Sequence, residues 1–271
     1  MYYDPIKNIF AATIKKYPFL TSLFYEILDI MFLRSWYVRR ELKNLRKFLG
    51  DKEISIYDAG TGYGQYSFFM SQKLNPCNIY AVDIKEDWIN NCKHFFVERK
   101  INNVSFGIED LTRISHNDKF DLILCVDVME HIEDDKKVFQ NYYQALRKGG
   151  FLIINTPSIY GGSDAHEEDD ESFIGEHART GYSFEDLEAK LKPIGFSIYQ
   201  KKYTYGFWGD KAWRLGIKYP MIMLNISKLF FLILPFYYVL TLPFTFLMMY
   251  VDFSGINKVG SGVNLIAKKE K

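Results

Sequence analysis

The chain has 271 residues, 48% apolar and 25% charged, with a net charge of +1. That length suits one large domain or two small ones, and the balance is that of a globular protein, not a disordered one. The near-zero charge gives no global attraction toward nucleic acid, and none is expected as a partner. Aromatic residues reach 17%, a level that suits apolar ligands, a membrane interface or simply a Phe-rich core. Cys77, Cys92 and Cys125 are odd in number and match no metal spacing, which points to a reducing compartment. The opening MYYDPIKNIF lacks the basic and apolar regions of a secretory signal, so a cytoplasmic protein is expected.

Residues 5–49 carry a helical pattern, with Ile27, Ile30, Met31 and Leu33 ahead of the basic stretch RSWYVRRELKNLRK. Gly50 and Asp51 punctuate it. Short β-rich apolar runs follow: ISIYD (54–58), IYAVD (79–83), VSFGI (104–108), DLILCV (121–126) and FLIINT (151–156). Helices are expected between them near 64–74, 86–99 and 133–147, the last closed by KGG as a C-terminal cap. Such alternation implies a parallel sheet covered on both faces. After residue 157 come an acidic loop (GGSDAHEEDDES), a capped helix (SFEDLEAKL), a sixth strand (FSIYQKKYT) and a seventh, GVNLIAKK (262–269). Between the last two strands lies LFFLILPFYYVLTLPFTFLMMYV, residues 229–251, a run without a charge. At ~1.5 Å per helical residue it is long enough to cross a bilayer.

The stretch YDAGTGYGQY follows the first strand and precedes a helix. A dinucleotide fingerprint, G-x-G-x-x-G, needs its third glycine where Gln65 stands. Here Gly60, Gly62 and Gly64 fall at every second position, and Asp58 ends the strand just before them. This D-x-G-x-G-x-G form resembles the first motif of class I S-adenosylmethionine-dependent methyltransferases. Asp83 ends the second strand, where a carboxylate can accept hydrogen bonds from both ribose hydroxyls, a position that also fits NAD. GIEDLT after the third strand, FDLILCVDVMEHI (120–132) and LRKGGFLIINTPS (146–158) match further motifs of the family in order and spacing, over residues 50–205.

The resemblance implies a Rossmann-like, doubly wound α/β sheet of seven strands, the last one antiparallel. It also implies an N-terminal helical lid (1–50) and a core (51–204 and 262–271). The family's link between strands six and seven is usually a short hairpin, and here this sequence departs from it with a hydrophobic helical insert (205–261). The cofactor would be S-adenosyl-L-methionine, leaving as S-adenosyl-L-homocysteine. Gly60, Gly62 and Gly64 would form the floor under its methionine and ribose portions, with Asp58 orienting that loop. Asp110 would meet the adenine amino group, and Asp127 would lie beside the methionine end. Glu130 and His131 form the family's acid–His pair, which mostly shapes the site beneath the cofactor. His131 is retained as a candidate for proton transfer.

EHARTGYSFEDLEAKLKPIGF resembles a segment of small-molecule members of the family. It makes His177 a candidate catalytic group, and Arg179 and Tyr182 candidates for the acceptor pocket. The alternative is that all three staple the loop to the body. His166 and His177 match no standard ligand spacing, and no metal is expected. Arg34, Arg39 and Arg40, beside Trp36 and Tyr37, suit either the methionine carboxylate or an anionic lipid surface, and both readings stay open.

In the family fold the seventh strand inserts antiparallel between strands five and six. Both ends of the apolar insert would then leave the active-site face on one side of any bilayer, which excludes a single crossing. Pro235 and Pro243 interrupt a straight helix, so two short helices in a re-entrant or surface-lying hairpin are expected, with Trp208 and Trp213 at the rim. The functional expectation is O-methylation of an apolar, lipid or lipid-linked small molecule by a protein peripheral to the cytoplasmic face of a membrane. A soluble acceptor such as a sugar, with the insert as lid or dimer interface, and a non-catalytic membrane adaptor are the alternatives.

Overall fold

The computed structural model describes residues 18–161 and 178–270. Seven strands form one sheet: β1 Ile54–Ala59, β2 Cys77–Asp83, β3 Val104–Ile108, β4 Phe120–Val126, β5 Leu146–Pro157, β6 Phe196–Thr204 and β7 Gly262–Lys269. Their order is β3-β2-β1-β4-β5-β7-β6. All neighbours run parallel except β7, which pairs antiparallel with both β5 and β6. LILCV of β4 and FLII of β5 are continuous apolar runs because both faces of the sheet are covered there.

The helices are α1 Pro18–Met31, α2 Leu33–Leu49, α3 Gln65–Lys73, α4 Glu86–Glu98, α5 Asp135–Ala145, α6 Phe184–Leu191, α7 Phe207–Trp213, α8 Tyr219–Ile226 and α9 Leu234–Ser254. On one face of the sheet, Val38, Leu42 and Leu45 of α2 join Phe69 and Met70 of α3 over Ile56, Leu124 and Ile153. On the other face, Val138, Phe139 and Tyr142 of α5 and Leu187 of α6 cover Ile123, Leu152 and Leu265. Ser183 caps α6 by accepting a hydrogen bond from the Asp186 amide at 3.0 Å, the S-x-x-D start visible in the sequence.

The expected cap at KGG is not a helix end. α5 stops at Ala145, and LRKGG opens β5, where Leu146 pairs with Phe120 before the register shifts. Leu146 is fully buried and its carbonyl accepts from Lys269 Nζ at 2.7 Å, so the segment is held as strand.

The insert departs further from expectation. β6 and β7 are paired at Thr204 and Gly262, so the chain leaves and returns at one edge of the sheet. Between them come α7, a π-helical turn, α8, a 3₁₀ turn and then α9, a helix that runs through Pro243 instead of breaking there. Pro235 sits in the first turn, where a missing N–H costs nothing. Pro243 removes one interior bond, but flanking hydroxyls tighten the turns. Thr241 donates to the Tyr237 carbonyl at 2.9 Å, and Thr245 to that of Thr241 at 3.0 Å. The Tyr237 and Tyr238 hydroxyls also reach the carbonyls of Leu215 and Gly216, tying the helix to the preceding turn.

One face of α9 is anchored. A Cβ at Gly209 would stand 2.9 Å from the Asp252 carboxyl carbon, and one at Gly216 would stand 2.9 Å from Thr245. Glycine at both positions therefore lets α7 and its extension lie directly on α9. Asp252, the lone acid of α9, is buried and accepts from the Tyr37 hydroxyl at 2.7 Å and the Gly209 amide at 2.9 Å. The opposite face is apolar and open: Phe236, Val239, Leu240, Phe244, Leu247 and Tyr250 are 60–74% exposed. Among the described residues α9 is the one helix long and apolar enough to cross a membrane, with a mean hydropathy of 1.5 and only 11% of that window buried. The low burial excludes the ordinary explanation of such a helix, that it fills a soluble core.

Candidate active site

The carboxyl ends of β1, β2 and β4 converge where an open α/β sheet offers a ligand crevice. After β1 the chain turns through Gly60, Gly62 and Gly64, all at positive φ (76°, 56° and 82°), a backbone that strains any residue with a Cβ. At Gly60 a Cβ would lie 2.2 Å from Val128, so the loop presses on the turn after β4. At Gly62 the nearest neighbour of a Cβ is the Trp88 ring at 3.7 Å, which leaves this part of the loop free for a close approach.

Two acids hold the loop from below and from the side. Asp58 is buried and accepts from Thr61 Oγ1 at 2.8 Å and Ser67 Oγ at 2.6 Å. Burial pushes its carboxyl up to about 6, against the lowering effect of the two hydroxyls. It orients the loop from inside the fold. Asp83 accepts from the Gly62 amide at 3.0 Å and the Lys85 amide at 2.9 Å, one on each oxygen. Each oxygen keeps a second lone pair, so the carboxylate is fixed in place and can still accept from a vicinal diol.

Asp110 sits two residues past β3 with its side chain 40% exposed. Hydrogen bonds from Thr112 hold its carboxyl below the usual range. Its neighbour Glu109 is bound instead by Tyr57, Tyr80 and His116. Asp127 directly follows β4 at φ 51°, a left-handed conformation that costs energy and is tolerated best by Asn and Asp. Its amide donates to the Asn155 carbonyl at 2.8 Å, and its carboxylate is paired with Arg34 from the first turn of α2. The glycine loop, Asp58, Asp83 and Asp127 are thus brought to one end of the sheet, with Asp110 on its β3 flank.

The acceptor-side candidates are distributed differently. Tyr182 is fully buried, and its hydroxyl donates to Asp135 Oδ2 at 2.7 Å. Arg179 pairs with the same Asp135 and donates to the carbonyls of Ile132 and Glu133 at 2.8 and 3.0 Å. Lys190 reaches Asp135 at 2.7 Å as well. These contacts tie the segment after residue 177 to the start of α5, and neither side chain is left free for an acceptor. Glu130 is buried, takes a hydrogen bond from Thr156 at 2.9 Å, and is pushed above its ordinary carboxyl value by burial. Its backbone carbonyl also receives the amide of Ala178 at 2.8 Å. His131 is exposed on the adjoining 3₁₀ turn. His177 and His166 lie outside the described residues. Among the described residues no cluster of His, Cys, Asp and Glu could hold a metal ion.

Sequence reasoning passed over several groups at this end. Gln65, the residue that spoils the dinucleotide fingerprint, donates to Asp29 at 2.6 Å and to Ser35 at 3.0 Å, joining α3 to α1 and α2. Arg39 closes on the same Asp29. Asp29 is one of two acids in the apolar helix FLTSLFYEILDIM, and it lies on the buried side while Glu26 is exposed, which the sequence alone did not separate. Trp88 stacks on Tyr63 with ring centroids 4.8 Å apart beside Gly62. A cofactor with an adenosine portion and an amino-acid end fits this set: a diol acceptor at Asp83, aromatic faces at Tyr63 and Trp88, and an Asp–Arg pair at the far end.

Comparison with known proteins agrees with this geometry. The chain belongs to the methyltransferase domain family, which it matches over residues 50–204. With its sheet order and glycine loop, this defines a class I S-adenosylmethionine-dependent methyltransferase domain. Among curated relatives, a tRNA U34 carboxymethyltransferase of Campylobacter fetus is 32% identical over 130 residues, covering 46% of this chain and 44% of that one. A malonyl-[acyl-carrier protein] O-methyltransferase 2 of Ilyobacter polytropus is 28% identical over 151 residues, covering 53% and 56%. The chain thus spans about half the length of these relatives. Among solved structures, a sarcosine dimethylglycine methyltransferase from Galdieria sulphuraria superposes with a TM-score of 0.60 at 14% identity, covering 88% of this chain and 86% of that one. At that identity the likeness speaks for the fold alone.

Proposed function

We propose that this protein is an enzyme that transfers the methyl group of S-adenosylmethionine to oxygen on an apolar, lipid or lipid-linked small molecule, working at the cytoplasmic face of a membrane. The observation that carries the acceptor class is the open apolar face of α9, on an insert that returns to the sheet at Thr204 and Gly262. α9 is joined through Asp252 to Tyr37 of α2, the helix whose first turn supplies Arg34 to Asp127. The apolar surface and the site thus share one helix.

In this reading Asp83 takes the ribose diol, the glycine loop lies under the methionine and ribose portions, and Asp127 with Arg34 receives the amino-acid end. The cofactor supplies an activated methyl carbon, and transfer is an in-line displacement. The chain's contribution is then mainly orientation and exclusion of water. A hydroxyl acceptor would add a need for a base, for which His131 and His177 remain the candidates. Arg179 and Tyr182 act as a staple that sets the acceptor wall rather than as contacts to the acceptor.

A second reading keeps methyl transfer but gives it a soluble acceptor, with the apolar face covered by a second copy. Recovery of the protein as a dimer without detergent, with activity indifferent to vesicles, would favour it. Calorimetric titration with S-adenosylhomocysteine tests the cofactor assignment. Wild type should bind and Asp83→Ala should bind at least about 100-fold more weakly, the loss of two charge-assisted hydrogen bonds. No binding to the folded wild type would end the proposal.

A further inference from the structure

The outer surface of α2 carries an open groove of about 580 Å³ lined by Asp29 and Ile30 from α1, by Trp36, Arg39, Arg40, Lys43, Asn44 and Lys47 from α2, and by Phe253 from α9. None of Gly60, Gly62, Asp83 or Asp127 lines it, although its Asp29 accepts from Gln65, the residue after Gly64, at 2.6 Å. Four cations meet one acid there, a local excess of three positive charges in a chain whose net charge is +1.

The four cations divide into two kinds. Arg39 is taken up by Asp29 and lies over the Phe69 ring at 4.2 Å. Arg40 stacks on Phe253 at 4.0 Å and donates to its carbonyl at 2.8 Å. Those two build the walls. Lys43 and Lys47 are exposed, stand one turn apart on the same face, and make no ion pair among the described residues. Their ammonium groups stay open to the groove, Lys43 making only a long approach to the Phe69 ring at 5.8 Å.

Its borders are apolar. Ile30 is the last member of an exposed stripe on α1 formed by Phe19, Leu23, Ile27 and Ile30. Phe253 lies at the C-terminal end of α9, one turn past the exposed Tyr250, and packs edge-on against Trp36 at 5.7 Å. The basic groove therefore lies where two exposed apolar stripes end. A small soluble anion would need the cations but not the stripes, and a dimer partner would need the stripes but not the lysines. An amphipathic anion uses both.

We propose that this groove binds the phosphate headgroup of an anionic phospholipid, with Lys43 and Lys47 on the phosphate, Trp36 at the interface level, and the acyl chains along α1 and α9. The bound lipid would fix the orientation of the enzyme on the bilayer. The inference rests on the membrane reading above and adds to it a lipid class and a site.

The test is flotation of the full chain with vesicles of phosphatidylcholine alone and of phosphatidylcholine with phosphatidylglycerol, at low and high salt. Wild type should bind the anionic vesicles about 10-fold or more tightly than the neutral ones, an advantage that salt erodes. The double variant Lys43→Glu/Lys47→Glu should lose that advantage while keeping its affinity for neutral vesicles. Lys43→Gln/Lys47→Gln serves if charge reversal disturbs folding, and an unchanged melting temperature and S-adenosylhomocysteine affinity control for the fold. Equal binding to both vesicle types, or an unaffected double variant, overturns the headgroup site and leaves the membrane reading standing. No binding to either vesicle overturns both. Tight binding to a tRNA through the same lysines, with indifference to vesicles, would also overturn it.

Discussion

Arg34 on the first turn of α2 forms an ion pair with Asp127, directly after β4, across 93 positions of sequence. The pair brings the N-terminal helices onto the methionine end of the cofactor crevice. An amino-acid group entering there would offer an ammonium to the carboxylate and a carboxylate to the guanidinium. Arg34→Ala should therefore weaken S-adenosylhomocysteine binding by about 10-fold, in line with truncating one partner of a partly buried charge pair. Arg34→Lys should recover part of it. Calorimetry checks this, and tighter binding by Arg34→Ala would mean that the arginine blocks the site instead of completing it.

Asp58 makes a pH signature. Its folded carboxyl is raised to about 6 by burial, against roughly 3.9 in an unfolded chain. The folded state holds the proton more tightly, so this group's contribution to stability is fullest below about pH 4, is lost as pH rises through about 6, and is flat above that. Glu130 is also raised by burial and adds in the same direction. Asp58→Asn keeps an acceptor for Thr61 and Ser67, and it should flatten the slope of urea-unfolding stability between pH 4 and 6. The slope removed is at most about 1.4 kcal/mol per pH unit.

Asp252 should matter more than any exposed apolar residue of α9. Replacing it with Ala leaves the Gly209 amide without its acceptor and takes one acceptor from Asn257, at a cost of about 1–3 kcal/mol for the stranded amide. The Tyr37 hydroxyl keeps the main-chain carbonyl at position 252, 2.8 Å away. Thermal unfolding should shift down by several degrees, and limited proteolysis should cut first within 205–261. An exposed change such as Leu240→Gln should do neither.

Arg179 separates stapling from acceptor contact. Its bonds to Asp135, Ile132 and Glu133 are internal, so Arg179→Ala should lower stability by about 1–3 kcal/mol. The acceptor KM of the folded fraction should stay within a few-fold of wild type. A large rise in KM with unchanged stability would return Arg179 to the acceptor site.

How much of this was legible beforehand varied with the range of the interaction. β3, β6 and β7 begin and end as the sequence suggested, because Asn103, Gly195 and the Gly260–Gly262 turn mark where each β-rich run starts. The sheet order was legible only through the resemblance, since no local pattern says that GVNLIAKK runs antiparallel. At LRKGG a glycine pair suggested a helix cap, and burial of Leu146 beside Phe120 overrode it. Pro243 misled for a related reason: local propensity forbids what anchoring at Thr245, Met249 and Asp252 permits. The pairing of Arg34 with Asp127 and the inward turn of Tyr182 depend on contacts distant in sequence, and residue type alone leaves both outcomes open.

The most direct measurement follows the methyl group itself. Purified protein is incubated with S-adenosylmethionine carrying a labelled methyl group and with either the lipid or the aqueous extract of the source cells. The label is then partitioned between organic and aqueous phases. We expect label in an organic-soluble, base-stable or ester product from the lipid extract, and a marked loss when Phe236 and Leu240 on the open face of α9 are both replaced by Glu. Label confined to an aqueous product, undiminished by those changes, would contradict the assignment of an apolar acceptor at a membrane surface.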